Sequence, residues 1–420
     1  MKDDDKRTLT PRLRFPEFLG DTLHQVQLKE VTAESTTRNG DTLPPTSVMG
    51  VTKAEGIVPM EQRIVALNIA RYKIVRKDWF AYNPMRLNIG SIARWEGESA
   101  ILVSPDYVVF KCLNEAGSGI DPAFLDHFRR SDAWEGFVAQ GGDGSVRVRI
   151  YYKDIGRLPL QLPSIAEQQK IADCLTSLDE LIAAQGRKVE ALKGHKKGLM
   201  QQLFPREGET LPRLRFPEFR DAPAWKTHAF EHFVAKSFYG TSQSTSAKGQ
   251  YPVLRMGNMV DGALDFSNLV YLDLGRRDFE SIRLHDGDIL LNRTNSLDLV
   301  GKISIFTGEL ECITASYIVT FRLDKERLRP EFCNAMLNTQ LYKARIKLLA
   351  RPSVSQANIN PTTFRKELRV SVPSVAEQHR IADCLSILDV RIAAETDKLA
   401  ALKSHKRGLM QQLFPSPEAV

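Results

Sequence analysis

The stretch from Pro163 to Pro205 returns without a gap as Pro373 to Pro415, at an offset of 210 residues and with 29 of 43 positions identical. The copies read PSIAEQQKIADCLTSLDELIAAQGRKVEALKGHKKGLMQQLFP and PSVAEQHRIADCLSILDVRIAAETDKLAALKSHKRGLMQQLFP. A shorter repeat, PRLRFPEF, fills Pro11 to Phe18 and comes back at Pro212 to Phe219, an offset of 201. A chain that carries the same pair of markers twice in the same order is a tandem duplication, so its fold must supply two like frames. Between the markers, Leu19 to Leu162 and Arg220 to Val372 share only scattered matches, such as NIGSIA beside VGKISI and Phe110-Lys111 beside Phe321-Arg322. The expectation is one fold carrying two different surfaces.

The long repeats read as helices. Ile171, Leu175, Leu178, Ile182, Gln185, Val189, Leu192, Lys196, Leu199 and Leu203 alternate steps of four and three, the period of a coiled-coil seam. Ile381, Leu385, Leu388, Ile392, Glu395, Leu399, Leu402, Lys406, Leu409 and Leu413 repeat it. Ser164 and Ser374 stand as N-caps, with Glu167 and Glu377 three residues on completing capping boxes, and Pro205 and Pro415 stop the helices. A helix of about 40 residues is roughly 60 Å long and leaves its seam in water without a partner of matching length. The other copy, running antiparallel, is that partner, and the polar seam positions Gln185, Glu395, Lys196 and Lys406 help to fix its register.

The inserts are mixed α/β. Tyr107 to Phe110, Val146 to Tyr152, Ile289 to Leu291 and Tyr317 to Phe321 are β-branched and aromatic, while Pro122 to Arg130 and Pro330 to Leu349 read as helices. The expected fold class is α+β: two mixed α/β domains joined by two long antiparallel coiled-coil helices, with an internal pseudo-two-fold duplication. The boundaries are a tag-like start (1–8), a first mixed domain (9–162), a first long helix (163–205), a linker and second mixed domain (206–372), a second long helix (373–415) and a tail (416–420).

The chemistry that is missing narrows the function. The only GK pair, Gly301-Lys302, lacks the context of a phosphate-binding loop. Asn83-Pro84-Met85 and Asn360-Pro361-Thr362 do not continue as the motif of an amino-methyltransferase, and the five cysteines form no CxxC. His195 and His405 are repeat partners without zinc spacing. No catalytic residue, cofactor or metal is expected. No apolar run approaches a membrane span and the start lacks a signal sequence, so the expected compartment is cytoplasmic. A net charge of +7 is mild by itself.

Polar clusters point to a polyanion. Arg71, Lys73 and Arg76 lie beside Tyr72, Trp79 and Phe80; Arg276 stands near Phe279; Arg94 adds a further cation. Such groups can neutralise phosphates. Two stretches occupy matching places ahead of the long helices: Gly141 to Arg149, with Gly142, Ser145, Arg147 and Arg149, and Arg351 to Asn360, with Ser353, Gln356, Asn358 and Asn360. Arg255 with Asn258, and Arg293 with Asn295, are further candidates. Arg reads guanine and Asn or Gln reads adenine bidentately in a major groove, so different polar sets at equivalent positions suit two different half-site readers. The bland alternative is that the amides cap turns.

The chain resembles the DNA-specificity subunits of type I restriction-modification systems, through PRLRFPEF, the P-S-[IV]-A-E-Q helix openings, the GLMQQLFP helix ends, and the GDILLNR and SQANIN stretches. The resemblance implies a non-catalytic subunit with two target-recognition domains, each reading half of a bipartite asymmetric site in double-stranded DNA, spaced by the helical pair. It also implies docking of two modification (adenine methyltransferase) subunits, which two restriction (endonuclease and translocase) subunits can join. Leu181, Met200, Phe204, Met410 and Phe414, apolar and outside the seam, are the candidates for partner contacts, with packing inside the chain as their alternative. A free-standing architectural or regulatory DNA binder whose coiled coil dimerises between chains, and an enzyme with an unrecognised active site, are the alternatives.

Overall fold

The computed structural model describes residues 11–60, 68–115, 118–141, 149–308, 310–352 and 356–414. The chain divides into two units, Met1–Gly186 with Asp397–Val420, and Arg187–Thr396. The division falls inside both long helices, Ile165–Leu203 and Val375–Leu413, so each unit owns the beginning of one and the end of the other.

In the first unit, strands Thr32–Glu34, Val108–Cys112, Phe80–Tyr82 and Ile92–Arg94 form an antiparallel sheet in that spatial order. Phe80 lies opposite Phe110 and their rings stack at 5.0 Å, both fully buried. Burying each ring contributes about 1.5–3 kcal/mol. Helices Pro122–Phe128 and Asp132–Gln140 follow, capped by Asp121 and Ser131. His24–Gln27 pairs with Pro159–Leu162, which leads into the long helix. One core joins Phe80, Phe124 and Trp134 to Ile171 and Leu175 from the start of the first helix and to Met410, Leu413 and Phe414 from the end of the second.

The second unit repeats this plan. Val234–Tyr239, Ile318–Leu323, Ile289–Asn292 and Ile303–Ile305 form the four-stranded sheet, and Lys226–Ala229 pairs with Arg369–Val372. Its core takes Ile381 and Leu385 from the start of the second helix and Leu203 and Phe204 from the end of the first. The helix expected over Pro330 to Leu349 is two helices, Pro330–Leu337 and Gln340–Leu348, because the Thr339 side chain accepts from the Tyr342 N–H and starts a new one. The strand expected over Val146 to Tyr152 also needs correction: Tyr152–Ile155 is a helical turn, and residues 146–148 lie outside the described residues.

Every seam position is buried or half-buried. In the first unit Lys406 Nζ donates to Asp179 at 2.5 Å, and in the second Lys196 Nζ donates to Asp389 at 2.5 Å, the same pair displaced by one repeat. Lys188 adds an ion pair with Glu395 in the second unit. Each unit therefore sets the start of one helix against the end of the other, in antiparallel sense.

Ser164 and Ser374 accept from the N–H groups of Glu167 and Glu377, as N-caps do. The capping boxes are not closed by those glutamates. Their carboxylates receive Arg14 and Arg215 of the short repeats instead. The eight-residue marker thus clamps the opening of each long helix: Lys170 and Arg380 sit over the Phe15 and Phe216 rings and pair with Glu17 and Glu218.

Candidate nucleic-acid interface

A turn leaves the central sheet of each unit at an equivalent place. In the first it runs from Asn83 to Ser91 between strands Phe80–Tyr82 and Ile92–Arg94; in the second, from Arg293 to Lys302 between Ile289–Asn292 and Ile303–Ile305. Both end on glycines with left-handed backbone, Gly90 at φ 89° and Gly301 at φ 83°, and both are pinned by a buried apolar residue, Leu87 or Val300. A Cβ on Gly301 would meet Ile346 Cγ2 at 2.6 Å, so the turn needs glycine for space as well as for conformation. A neighbouring segment is bonded onto each turn in the same way: Ile150 N–H donates to Pro84 O at 3.0 Å, and Ile359 N–H to Arg293 O at 2.8 Å.

That bond aligns Arg149 with Asn358, the residues just before it, and both are exposed. In the second unit the surroundings form a small sheet of Thr294–Asn295, Ala357–Ile359 and Ala350–Pro352. Asn358 lies across from Thr294 on one side and Arg351 on the other. Ala357 and Ile359 point into the core, which turns Asn358 outward. Arg293 Nη1 donates to Asn358 Oδ1 at 3.1 Å, and its guanidinium lies 5.3 Å from the Tyr239 ring centre. The result is a guanidinium and amide surface backed by an exposed aromatic ring. In the first unit exposed Arg86 stands in the turn, and the stem of Lys53 runs past Gly90. A cleft of about 810 Å³ opens beside it, lined by Lys53, Ile89, Arg94, Trp95, Arg130 and Trp134 among others.

Several expected site residues have other employment. Lys73 is buried and its ammonium donates to Tyr107 O at 2.6 Å; burial pushes its pKa down. Asn258 is buried too, accepting from Arg255 N–H and donating to Asp265 O, so it builds a turn and leaves no amide edge for a base. Asn360 caps Pro361–Glu367, accepting from Thr362 and Thr363. Arg94 is held by Asp78 at 2.7 Å and Glu96 at 2.6 Å, and Arg276 by Glu280 and Glu311, whose hydrogen bond raises its pKa. Asn295 donates to Met256 Sδ and accepts from Ser296 N–H. Arg71 and Arg76 are exposed at the two ends of Lys73–Val75, and Arg255 and Gln356 are exposed near the second turn. Gly142, Ser145, Arg147 and Ser353 lie outside the described residues.

The partner candidates divide sharply. Phe204 packs edge-on against Trp225 and 5.4 Å from Phe332; Phe414 packs edge-on against Phe124 and Phe128. Met410 is buried in the first core and Met200 packs against the second, so these four contacts are within the chain. Leu181 is exposed, as a docking residue must be. Sequence reading missed Ile387 and Val390, exposed by 66% and 68% on the second helix. Their signal was available: apolar residues three apart and off the seam.

Among the described residues, no helix is long and apolar enough to cross a membrane and no group of His, Cys, Asp and Glu is placed to hold a metal ion. The frame is that of a two-unit α+β protein with polar loops presented at equivalent points. Residues 234–404 match the family model of the type I restriction modification DNA specificity domain. The EcoKI specificity subunit of Escherichia coli is 21% identical over 79% of this chain and 68% of its own length. The MjaX specificity subunit of Methanocaldococcus jannaschii is 30% identical over 41% of each chain, so this chain spans well under half of that relative. In fold, the S subunit of M. genitalium aligns over 97% of this chain and 100% of its own, with TM-score 0.59 and 12% identity. A chain from a structural study of assembly and conformational transition in the type I R-M system covers 94% of this one and 98% of itself, with TM-score 0.57 and 16% identity. The chain is thus similar to type I restriction-modification specificity subunits, with the match to their DNA specificity domain carried by residues 234–404, in line with the resemblance of its repeats and motifs.

Proposed function

We propose that this chain is the non-catalytic, DNA-reading subunit of a type I restriction-modification enzyme, and that each unit reads one half of a bipartite, asymmetric site. The observation that carries the reading is the pair of equivalent turns. Scaffold, glycine, buried anchor and backbone bond are shared, while the outward group is Arg149 in one and Asn358 in the other. A guanidinium favours guanine and a carboxamide favours adenine, so one frame carries two different readers. The long helices would set the distance between the half-sites, and their exposed apolar residues Leu181, Ile387 and Val390 would seat two adenine methyltransferase subunits, with restriction subunits joining the same assembly. The cations would make binding fall with salt, since each phosphate contact adds roughly one unit to the slope.

Methylome sequencing of cells carrying this chain and its methyltransferase tests the reading. The expected result is methylated adenine in a two-part motif, with Asn358→Ala relaxing only one part and Arg149→Ala only the other. A one-part motif, or a chain that purifies without a methyltransferase and binds its site equally well alone, overturns it.

A further inference from the structure

The two equivalent turns carry more than polar readers. Each presents a pair of large apolar side chains to solvent: Met85 and Ile89 in the first unit, 49% and 54% exposed, and Leu297 and Leu299 in the second, 56% and 45% exposed. Single exposed apolar residues are ordinary and need no explanation. A pair that recurs at the same place in two otherwise divergent inserts is different.

The turns are built to hold these side chains still. Leu299 and Val300 N–H groups both donate to Ser296 O, and Arg86, Ile89 and Gly90 N–H groups donate to Asn83, Arg86 and Leu87 carbonyls. With Leu87 or Val300 sunk in the core and the glycine at its far end, neither turn can fold its apolar tip inward without losing that anchor. The polar surroundings narrow what covers the tips. Arg86 stands between Met85 and Ile89, and the cleft that Ile89 lines sets Lys53, Arg94 and Arg130 beside Glu55, Glu96 and Glu135; Leu297 and Leu299 follow Arg293 and the Asn358 and Arg351 row, and the one acid between them, Asp298, faces Lys347 at 4.0 Å. The guanidinium next to each tip, Arg86 in one and Arg293 in the other, matches a duplex, which offers phosphates outside and stacked bases within. A single kind of protein partner docking on both turns would want like surroundings on each, and these differ, Arg86 on one and Asp298 on the other.

We propose that the two turns are apolar wedges, each pressing its exposed pair into a base step of the half-site read by its own unit, unstacking the bases there. The inference rests on the DNA-reading function proposed above. Apolar side chains inserted in this way partly unstack a step and kink the duplex, so part of the specificity would come from how easily the sequence at that step deforms.

The test uses the full-length chain, first to select its site from random duplexes, then on that duplex with 2-aminopurine placed at successive positions. The expected result is a rise in fluorescence on binding at one step in each half-site. Leu297→Ala with Leu299→Ala should abolish one rise, and Met85→Ala with Ile89→Ala the other. Because all four side chains are exposed, the variants should melt at the temperature of the parent, and the salt slope of binding should stay unchanged. If the chain selects a site but no position brightens, or if the rises survive both double variants, the wedge is wrong while the reading function stands. If the variants leave the rises intact and lose a copurifying methyltransferase, the turns are protein-docking surfaces and the proposal falls. If the chain selects no sequence, alone or with its methyltransferase, both fail together.

Discussion

The guanidinium of Arg14 donates through Nε and Nη2 to the two carboxylate oxygens of Glu167, at 2.9 and 2.5 Å, and Arg215 repeats the fork on Glu377 at 2.8 and 2.7 Å. The Trp225 indole N–H also points at Glu377, at 3.3 Å. Both carboxylates are buried, 1% exposed, so each depends on its arginine. Removing one partner of a buried pair costs about 3–5 kcal/mol, whereas replacing both by apolar groups is often neutral. Arg215→Ala should therefore destabilise the protein by that amount in urea denaturation, and Arg215→Met combined with Glu377→Leu by much less. Equal losses in the two would show that the charges themselves are not what needs compensation.

His127 supplies a pH dependence confined to the first unit. Its Nε2 lies 3.0 Å from Thr176 Oγ1, and burial, reinforced by Lys406 and Arg130 against the opposing pull of Asp126 and Asp179, pushes its pKa down to about 4. The unfolded imidazole takes a proton near its ordinary value of about 6.5, so the unfolded state binds more protons in between. Stability is then full above pH about 6.5 and falls as the pH drops towards 4, by at most about 3 kcal/mol. His127→Gln should flatten that part of the curve in urea midpoints measured between these limits. An unchanged slope would mean that the ring is already charged in the folded protein.

Lys73 separates burial from recognition. With its ammonium spent on Tyr107 O, Lys73→Met should lower stability by about 1–3 kcal/mol, the cost of an unpaired buried carbonyl, and leave the salt dependence of DNA binding unaltered. Arg293→Ala should do the reverse, with little change in melting temperature and a shallower salt slope. A slope reduced by about one unit in the lysine variant would place that side chain on a phosphate after all.

Ile387 and Val390 test the docking face. Ile387→Lys with Val390→Lys should leave folding within about 0.5 kcal/mol of the parent, as exposed substitutions do, and abolish copurification of the methyltransferase. Retention of a stoichiometric complex would move the docking surface elsewhere.

The long helices could be read from sequence because their signal is local: a 3.5-residue rhythm needs no knowledge of what lies across from it, and every seam residue is buried or half-buried. Phe204 and Phe414 looked like partner contacts for the opposite reason. They stand just past the seam, and what buries them, Phe332 and Trp225 or Phe124 and Phe128, comes from distant sequence. Asn258 and Asn360 show the same limit at the interface. A carboxamide that caps a turn and one that faces a base are the same residue type, and only the backbone around Asn358, with its neighbours turned inward, tells them apart. The roles of Arg14 and Arg215 were hidden too, since the capping box offered a sufficient local use for the glutamates that they hold.

The first core is closed by Met410, Leu413 and Phe414, which leave the ribosome after every other residue of that core and after the whole second unit. The domain whose sheet is synthesised first must therefore wait, unsealed, while the second is translated. A chaperone that shields nascent apolar surface would find its longest-lived client here in residues 24–175, and synonymous changes that slow translation between residues 176 and 409 should increase aggregation of the first half above all.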